Sequence, residues 1–150
     1  MLNAHRDVAV PPESRFVTEI KHDPGPIEVD RFLNALGAHK RFQAWDLPLG
    51  AVRQEIDVDP VPYADALTAA YRAYARVHGK EVWGDKTPRY VEDIPFISTL
   101  FPDSRFIHLI RDGRNVARSY AGVPFGPKTV AQAARLWAER VQKGCRDAHS

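Results

Sequence analysis

The chain has 150 residues, 44% hydrophobic and 27% charged, a composition that excludes a disordered chain and allows one sizeable core. The formal net charge of +2 is too small to indicate nucleic acid as a bulk partner. The one cysteine, Cys145, excludes an internal disulfide and fits a reducing compartment, and no apolar run approaches the roughly 20 residues of a membrane span.

Short apolar runs alternate with stretches of helical periodicity along the chain. In the first half we predict a strand over Val8–Val10, a helix over Ser14–Ile20 capped by Ser14, a helix from Asp30 to about Leu36 ended by Gly37, and a helix over Tyr63–His78 with Gly79 following it. In the second half we predict a strand over Glu81–Gly84, a helix over Val91–Leu100, a strand over Phe106–Ile110 followed by a helix, and a last helix over Thr129–Arg146. Strands that alternate with helices indicate an α/β fold with a parallel sheet.

The segment RFIHLIRDGRNVARSY, residues 105–120, predicts an anion site where a strand turns into a helix. The helix N-terminus offers free N–H groups, and Arg111 adds a planar fork suited to phosphate. Arg114 and Arg118 follow Arg111 at helical spacing, and Ser119 offers a hydroxyl eight residues after Arg111. The same pattern also fits an ordinary strand–helix unit with a solvated basic helix.

Two further polar residues follow predicted strands. Lys86, in the segment Trp83–Pro88, would lie at the carboxyl edge of the sheet, where α/β proteins bind ligands. Glu13 also follows a strand and begins a helix. Taken singly, these two could be a surface lysine in a turn and a carboxylate favoured by the helix dipole. In a parallel sheet the three strand ends converge, so we expect Glu13, Lys86 and the pair Arg111 and Ser119 at one edge.

Three ordered motifs resemble a known enzyme family. RDGRNVARSY looks like the 3′-phosphate-binding motif of sulfotransferases that use 3′-phosphoadenosine-5′-phosphosulfate (PAPS), and WGDKTPRY is similar to a segment common in bacterial members. The opening MLNAHRDVAVPPESRF resembles the stretch after the phosphosulfate loop, including the tyrosylprotein sulfotransferase branch. The resemblance implies a three-layer αβα, P-loop NTPase-like sulfotransferase fold.

The resemblance also implies roles for individual residues. Glu13 would be the catalytic base and Lys86 would stabilise the transferring sulfuryl group, with Arg15 as a supporting residue. Arg111 and Ser119 would bind the donor's 3′-phosphate, with Arg114 in support. The implied donor is PAPS, the implied product is adenosine 3′,5′-bisphosphate, and no metal is required.

One motif of that family does not occur in the sequence. The Gly-x-x-Arg/Lys-Ser-Gly-Thr-Thr loop, which cradles the phosphosulfate, would precede Met1. We therefore expect residues 1–150 to be a partial sulfotransferase domain, truncated at both ends and inactive by itself. Residues 21–80 match the family only as a variable helical insert, which we expect to shape the acceptor site.

Two other function classes stay open. A P-loop nucleotide or phosphoryl transferase would share the parallel sheet and an arginine-rich phosphate edge, and a non-catalytic pseudoenzyme or interaction module would share the fold alone. The partners expected are a nucleotide donor and an acceptor of unknown identity, without nucleic acid and without a membrane span. The N-terminus shows no secretory signal, so we expect a cytoplasmic protein, of open oligomeric state.

Overall fold

The computed structural model describes residues 2–120 and 126–147, which form two compact units. The first unit contains residues 2–89 and 99–101, and the second contains the remaining described residues from 90 onwards. The strands are β1 (Val8–Ala9), β2 (Pro26–Ile27), β3 (Val61–Pro62) and β4 (Val82–Trp83). The helices are α1 (Phe16–Glu19), α2 (Val29–Ala38), α3 (Lys40–Gln43), α4 (Leu49–Arg53), α5 (Tyr63–Val77), α6 (Ile94–Leu100), α7 (Gly113–Tyr120) and α8 (Val130–Asp147), with 3-10 turns at Leu2–Ala4 and Pro88–Glu92.

Strands β1 and β4 form the parallel pair that the sequence predicts. Val8 pairs with Val82 and Ala9 with Trp83, although residues 10–81, with five helices, separate the two strands. The amide of Val82 donates to the Asp7 carbonyl, and the amide of Gly84 donates to that of Ala9, both at 2.9 Å. Because the strands are parallel, the segments that follow them leave the sheet at the same edge. The α/β class is confirmed.

Strands β2 and β3 form a separate antiparallel pair that the sequence does not predict. Each strand is two residues long and contains a proline, and Pro26 faces Pro62. Proline lacks the N–H that a ladder requires, so it is typical of turns and sheet edges. Sequence patterns therefore gave no indication of this pairing.

Helix α5 is the central element of the first unit. It runs over Tyr63–Val77, in agreement with the predicted helix, and nine of its 15 residues are buried. Its C-terminus has the hydrogen bonds of a Schellman motif: the amide of Lys80 donates to the Ala75 carbonyl and that of Gly79 to the Arg76 carbonyl. Gly79 has a φ of 65°, as expected for a residue in the left-handed region after a helix.

An aromatic cluster anchors the start of the chain to α5. Phe16 is fully buried, and its ring lies 5.1 Å from the ring of Trp45 and 6.1 Å from that of Tyr71. The indole N–H of Trp45 donates to the Pro12 carbonyl at 2.8 Å. Burying one such aromatic side chain contributes about 1.5–3 kcal/mol, so this cluster holds residues 12–16 firmly against the core.

Several predicted helix ends are wrong. The helix predicted from Val91 begins only at Ile94, after a 3-10 turn. Helix α1 begins at Phe16 with Arg15 as its N-cap residue, and Ser14 does not cap it because the Ser14 hydroxyl bonds the half-buried Asp85 instead. Helix α2 begins before Asp30, at Val29, whose amide donates to the side chain of Asp59. Gly37 lies inside α2, which ends at Ala38.

The predicted strand at Phe106–Ile110 is also wrong. Residues 102–112 form neither strand nor helix, and all five side chains of the predicted strand are exposed, including Leu109 at 82%. Within residues 2–120 and 126–147, no hydrogen bond reaches the backbone of residues 106–110. A strand needs a neighbour that pairs its N–H and C=O groups, and an apolar run in the sequence cannot supply that neighbour.

Helices α7 and α8 pack together in the second unit and confirm the two helices predicted there. Gly113 begins α7, and a Cβ atom on it would lie 2.9 Å from the ring of Trp137 on α8. The helices therefore approach closely at a position that only glycine allows. Helix α6 places Pro95 in its first turn, where a proline does not interrupt helical hydrogen bonds. None of the helices in the described ranges is both long and apolar enough to cross a bilayer.

Replacing Gly79 by alanine tests the end of α5. A Cβ atom at φ 65° is strained, so Gly79→Ala is expected to lower the free energy of unfolding by about 1 kcal/mol. Urea unfolding measures this change. Gly50→Ala is the matched control, because Gly50 lies in a helix, has open space around its Cβ position and should tolerate or favour alanine. Equal effects of the two substitutions would contradict this account.

Candidate active site

Glu13 and Lys86 form an ion pair just beyond the ends of the parallel strands. The Lys86 ammonium donates to Glu13 Oε1 at 2.7 Å. Glu13 follows β1 by four residues and Lys86 follows β4 by three, so the parallel pairing carries both segments to one place. The structure thus brings together two of the residues that the sequence selects.

The ion pair is exposed, and this limits its energy. The side chain of Lys86 is 64% exposed and that of Glu13 is 30% exposed. Exposed pairs contribute about 0.2–1 kcal/mol, because water screens the charges and two side chains lose freedom. A contact this weak can open at little cost, so both groups are available to a bound ligand.

Arg41 is a second cation beside Glu13. Its Nη1 lies 4.0 Å from Glu13 Oε2, on the side of the carboxylate away from the oxygen that Lys86 bonds. Arg41 belongs to α3, in the stretch that the sequence identifies only as a variable insert. No spacing or motif marks it, and sequence reasoning missed it for that reason.

Ser14, Asp85 and Thr87, which are next to Glu13 and Lys86, are buried or half-buried and bonded to one another. Ser14 is fully buried, its amide donates to Thr87 Oγ1 at 3.1 Å, and its hydroxyl donates to the carboxyl of Asp85. The hydroxyl of Tyr71, from α5, donates to the same oxygen of Asp85. Sequence reasoning did not select these residues, although Ser14 and Asp85 are direct neighbours of the two that it did select.

Asp85 differs from an ordinary surface aspartate in its proton affinity. Burial raises the pKa of Asp85, because a charge loses hydration there, while hydrogen bonds from Ser14 and Tyr71 act in the opposite direction. The nearby negative charge of Glu13 also raises this pKa. The acid form of Asp85 is therefore stabilised in the folded chain.

Arg15, predicted as a supporting residue, has an uncommon backbone conformation. Its φ of 56° and ψ of −25° lie in the left-handed region, which costs a non-glycine residue about 1–2 kcal/mol. The residue stands between buried Ser14 and buried Phe16, whose contacts hold the chain in this turn. Its guanidinium lies 3.6 Å from Glu19, one turn along α1. Such strain is concentrated at functional sites in proteins.

Arg111 and Ser119 lie near the two ends of α7, in the second unit. Arg111 is exposed two residues before α7, and its carbonyl accepts a hydrogen bond from the indole of Trp137 at 3.0 Å. Ser119 is exposed in the last turn of α7. Both polar groups are open to solvent, but the strand that was expected to carry Arg111 is absent.

Arg114 is occupied by a neighbouring carboxylate. Its Nε and Nη2 donate to Asp112 at 3.1 and 2.7 Å, and its amide donates to Asp112 Oδ1 at 2.8 Å. The side-chain bonds from Arg114 are the main cause that lowers the pKa of Asp112, and the Arg114 amide adds to it. The N-terminus of α7 therefore already holds an anion of its own chain, which weakens the predicted supporting role of Arg114.

The model of the sulfotransferase family matches residues 1–150, the whole chain. The chain belongs to the sulfotransferase family. No curated protein and no solved structure shows a significant match to this sulfotransferase. Family membership makes a transferase the expected class of activity, while the roles of individual residues stay predictions.

The raised pKa of Asp85 gives a prediction on stability. A carboxyl that holds its proton more tightly when folded contributes most stability below its unfolded pKa, near 3.8, and that contribution falls as the pH rises through the folded value. The free energy of unfolding of the wild type minus that of Asp85→Asn should therefore decrease from pH 3 to pH 7. Urea unfolding over this range measures it, with Asp57→Asn at an exposed aspartate as the control for a lost carboxyl. A difference that rises with pH would contradict the raised pKa.

Proposed function

We propose that this sulfotransferase moves a sulfuryl group from PAPS to an acceptor hydroxyl or amine. The observation that carries the proposal is the pairing of Glu13 with Lys86 at 2.7 Å, beyond the ends of two parallel strands. A carboxylate beside an ammonium group provides a proton acceptor and a positive charge together, and in-line sulfuryl transfer requires both. Membership of the sulfotransferase family supports this choice over other transfers.

Glu13 acts as the general base in this proposal. Its carboxylate takes the proton from the acceptor as the acceptor oxygen or nitrogen attacks sulfur. One bond forms between that atom and sulfur, and the bond from sulfur to the phosphate oxygen of the donor breaks. The electron pair stays on the leaving adenosine 3′,5′-bisphosphate, and the proton stays on Glu13. General base catalysis contributes about 10²–10⁴-fold to rates.

Lys86 balances the charge that builds up during transfer. Its ammonium group faces negative charge on the sulfuryl oxygens and on the leaving oxygen, and it gives up its bond to Glu13 in the process. The exposed pair costs little to open. Loss of that bond also leaves Glu13 free to accept the proton, so one rearrangement prepares both groups.

Arg111 and Ser119 bind the 3′-phosphate of the donor. A guanidinium forms two parallel hydrogen bonds with a phosphate, and a hydroxyl adds a third. Within the described ranges no carboxylate pairs with the Arg111 guanidinium, in contrast to Arg114. This contact would distinguish PAPS from ATP, which has no 3′-phosphate.

The family's P-loop-like αβα fold and its phosphosulfate loop complete the proposal. The 150-residue sequence contains no Gly-x-x-Arg-Ser-Gly-Thr-Thr segment. Backbone N–H groups of such a loop would hold the 5′-phosphosulfate, so we expect residues 1–150 alone to transfer slowly. The resemblance of residues 1–16 to the tyrosylprotein branch makes a phenolic hydroxyl the first acceptor to test.

Substitution of Glu13 and Lys86 tests the chemistry. In a chain extended by a strand–loop–helix segment with the phosphosulfate motif, Glu13→Gln should lower kcat by about 10²–10⁴-fold, because the base is lost. Lys86→Ala should lower kcat by about 10²–10³-fold, because one stabilising charge is lost. Transfer of labelled sulfate from PAPS to tyrosine peptides, sugars and alcohols is the measurement.

The matched controls are Glu81→Gln and Lys40→Ala, which change exposed residues of the same type elsewhere in the first unit. They should leave kcat within twofold of the wild type. An extended chain without any transfer, or catalytic variants that behave like these controls, would refute the proposed function.

Nucleotide binding tests the donor site. The chain should bind adenosine 3′,5′-bisphosphate at least about tenfold more tightly than AMP or ATP, since a charge-assisted contact to phosphate contributes more than a neutral one. Arg111→Ala should abolish this preference, whereas Arg135→Ala, with the same loss of charge from an exposed position, should retain it. Titration calorimetry measures the affinities. A preference for ATP would favour a phosphoryl transferase instead.

A further inference from the structure

We infer that Asp85 is a positioning residue that fixes Glu13 and Lys86 relative to each other through Ser14 and Thr87. The inference rests on the proposed function, because it takes Glu13 and Lys86 as the reacting pair. It adds a residue whose side chain is bonded inside the protein and would touch neither donor nor acceptor.

Two segments form the site: residues 13–14 after β1 and residues 85–87 after β4. In each segment a proposed catalytic residue with an exposed polar group lies next to a residue whose side chain is bonded inside the protein. Glu13 is followed by Ser14, which is fully buried. Lys86 stands between Asp85, which makes its bonds inside the protein, and Thr87, which is 8% exposed. Each proposed catalytic side chain is thus next to a residue that is bonded to the opposite segment.

Three contacts join the segments directly. The Ser14 amide donates to Thr87 Oγ1 at 3.1 Å, the two hydroxyl oxygens lie 3.4 Å apart, and the Ser14 hydroxyl donates to Asp85 Oδ2. These contacts are buried or half-buried, whereas the bond between Glu13 and Lys86 is exposed. Positions within about 0.5 Å matter for catalysis, and buried bonds maintain such positions better than an exposed ion pair.

Tyr71 connects this arrangement to the central helix. Its hydroxyl donates to Asp85 Oδ2, the oxygen that also accepts from Ser14. Its ring stacks on Trp83 with centroids 4.5 Å apart and planes inclined by 13°, and Trp83 is the last residue of β4. Asp85 therefore joins three elements: the segment after β1, the segment after β4, and α5.

The use of a single oxygen predicts how substitutions behave. Asp85 Oδ1 is buried without a hydrogen-bond partner among the described residues. The other oxygen, Oδ2, accepts from the hydroxyls of both Ser14 and Tyr71. Asparagine offers such an oxygen and can replace Asp85 in this role, whereas alanine cannot. Asp85→Asn is therefore the conservative variant, and Asp85→Ala is the disruptive one.

Amide hydrogen exchange, measured by NMR on the 150-residue chain, tests the inference. In Asp85→Ala the Ser14 amide should exchange at least tenfold faster than in the wild type. The Gly84 amide, which donates to Ala9 in the parallel strand pair, should change less than threefold. Asp85→Asn should return the Ser14 amide to within threefold of the wild type. Asp57→Ala, at an exposed aspartate, is the matched control and should change neither amide.

Thr87→Val gives a second test if Asp85→Ala does not fold. Valine has nearly the same shape as threonine but lacks the oxygen that accepts from the Ser14 amide. The Ser14 amide should therefore exchange faster in this variant, while exchange at the Gly84 amide changes little. In the extended chain, Asp85→Ala should lower kcat 10–100-fold with KM for PAPS within twofold, and Asp85→Asn should recover most of the rate.

The outcomes separate this inference from the proposed function. Equal acceleration at Ser14 and Gly84 would show general loosening and would overturn the positioning role, as would unchanged exchange at Ser14 in both Asp85→Ala and Thr87→Val. If Glu13→Gln and Lys86→Ala abolish transfer while Ser14 exchange is unchanged, the inference fails and the proposed function stands. In the opposite case, exchange at the Ser14 amide is faster in Asp85→Ala and near the wild-type rate in Asp85→Asn, while Glu13→Gln and Lys86→Ala leave transfer intact. The positioning role of Asp85 then stands and the proposed function fails.

Discussion

The hydrogen bonds of Ser14 to Asp85 and Thr87 connect positions more than 70 residues apart, and the geometry of the candidate site depends on them. A buried donor that loses its acceptor costs about 1–3 kcal/mol. The exposed pair of Glu13 and Lys86 contributes only about 0.2–1 kcal/mol. The bonds of the neighbouring residues are therefore stronger than the bond between Glu13 and Lys86, and they contribute more to the position of this pair.

Residues 13–14 and 85–87 carry two kinds of side chain, those that hold the segments in place and those that are open to a ligand. The short pairing of β1 and β4 brings the segments to one edge, the aromatic cluster around Phe16 holds one of them, and the stack of Tyr71 on Trp83 holds the other. Side chains that face inward form bonds that are costly to break. Side chains that face outward form bonds that a ligand can replace.

Sequence patterns were sufficient where the cause of structure is local or repeats along the chain. Helices α5 and α8 follow from their apolar periodicity, and the meeting of Glu13 with Lys86 follows from the geometry of parallel strands. Sequence patterns gave the wrong prediction where a group far away in the sequence binds a side chain that was expected to make a local contact. Ser14 has the chemistry of a helix cap, but the half-buried carboxyl of Asp85, from a distant segment, accepts a hydrogen bond from its hydroxyl instead.

The failed strand and the missed Arg41 show the same limit in two other forms. A run of apolar residues at 106–110 has the composition of a buried strand, yet pairing depends on a neighbour that the run does not encode. Arg41 approaches Glu13 through the fold of a helical stretch that carries no motif. A contact that depends only on tertiary structure produces no recognisable spacing of residues in the sequence.

The exposed apolar segment from Phe106 to Ile110 bears on the solubility of the chain. Ile107 and Leu109, 68% and 82% exposed, belong to a segment outside any strand or helix whose N–H and C=O groups form no hydrogen bond within the described ranges. Exposed apolar side chains beside backbone groups without partners favour association between copies of a chain. We therefore expect the solubility of the chain to depend on these apolar positions and on the charges of Arg105 and Arg111 that flank them.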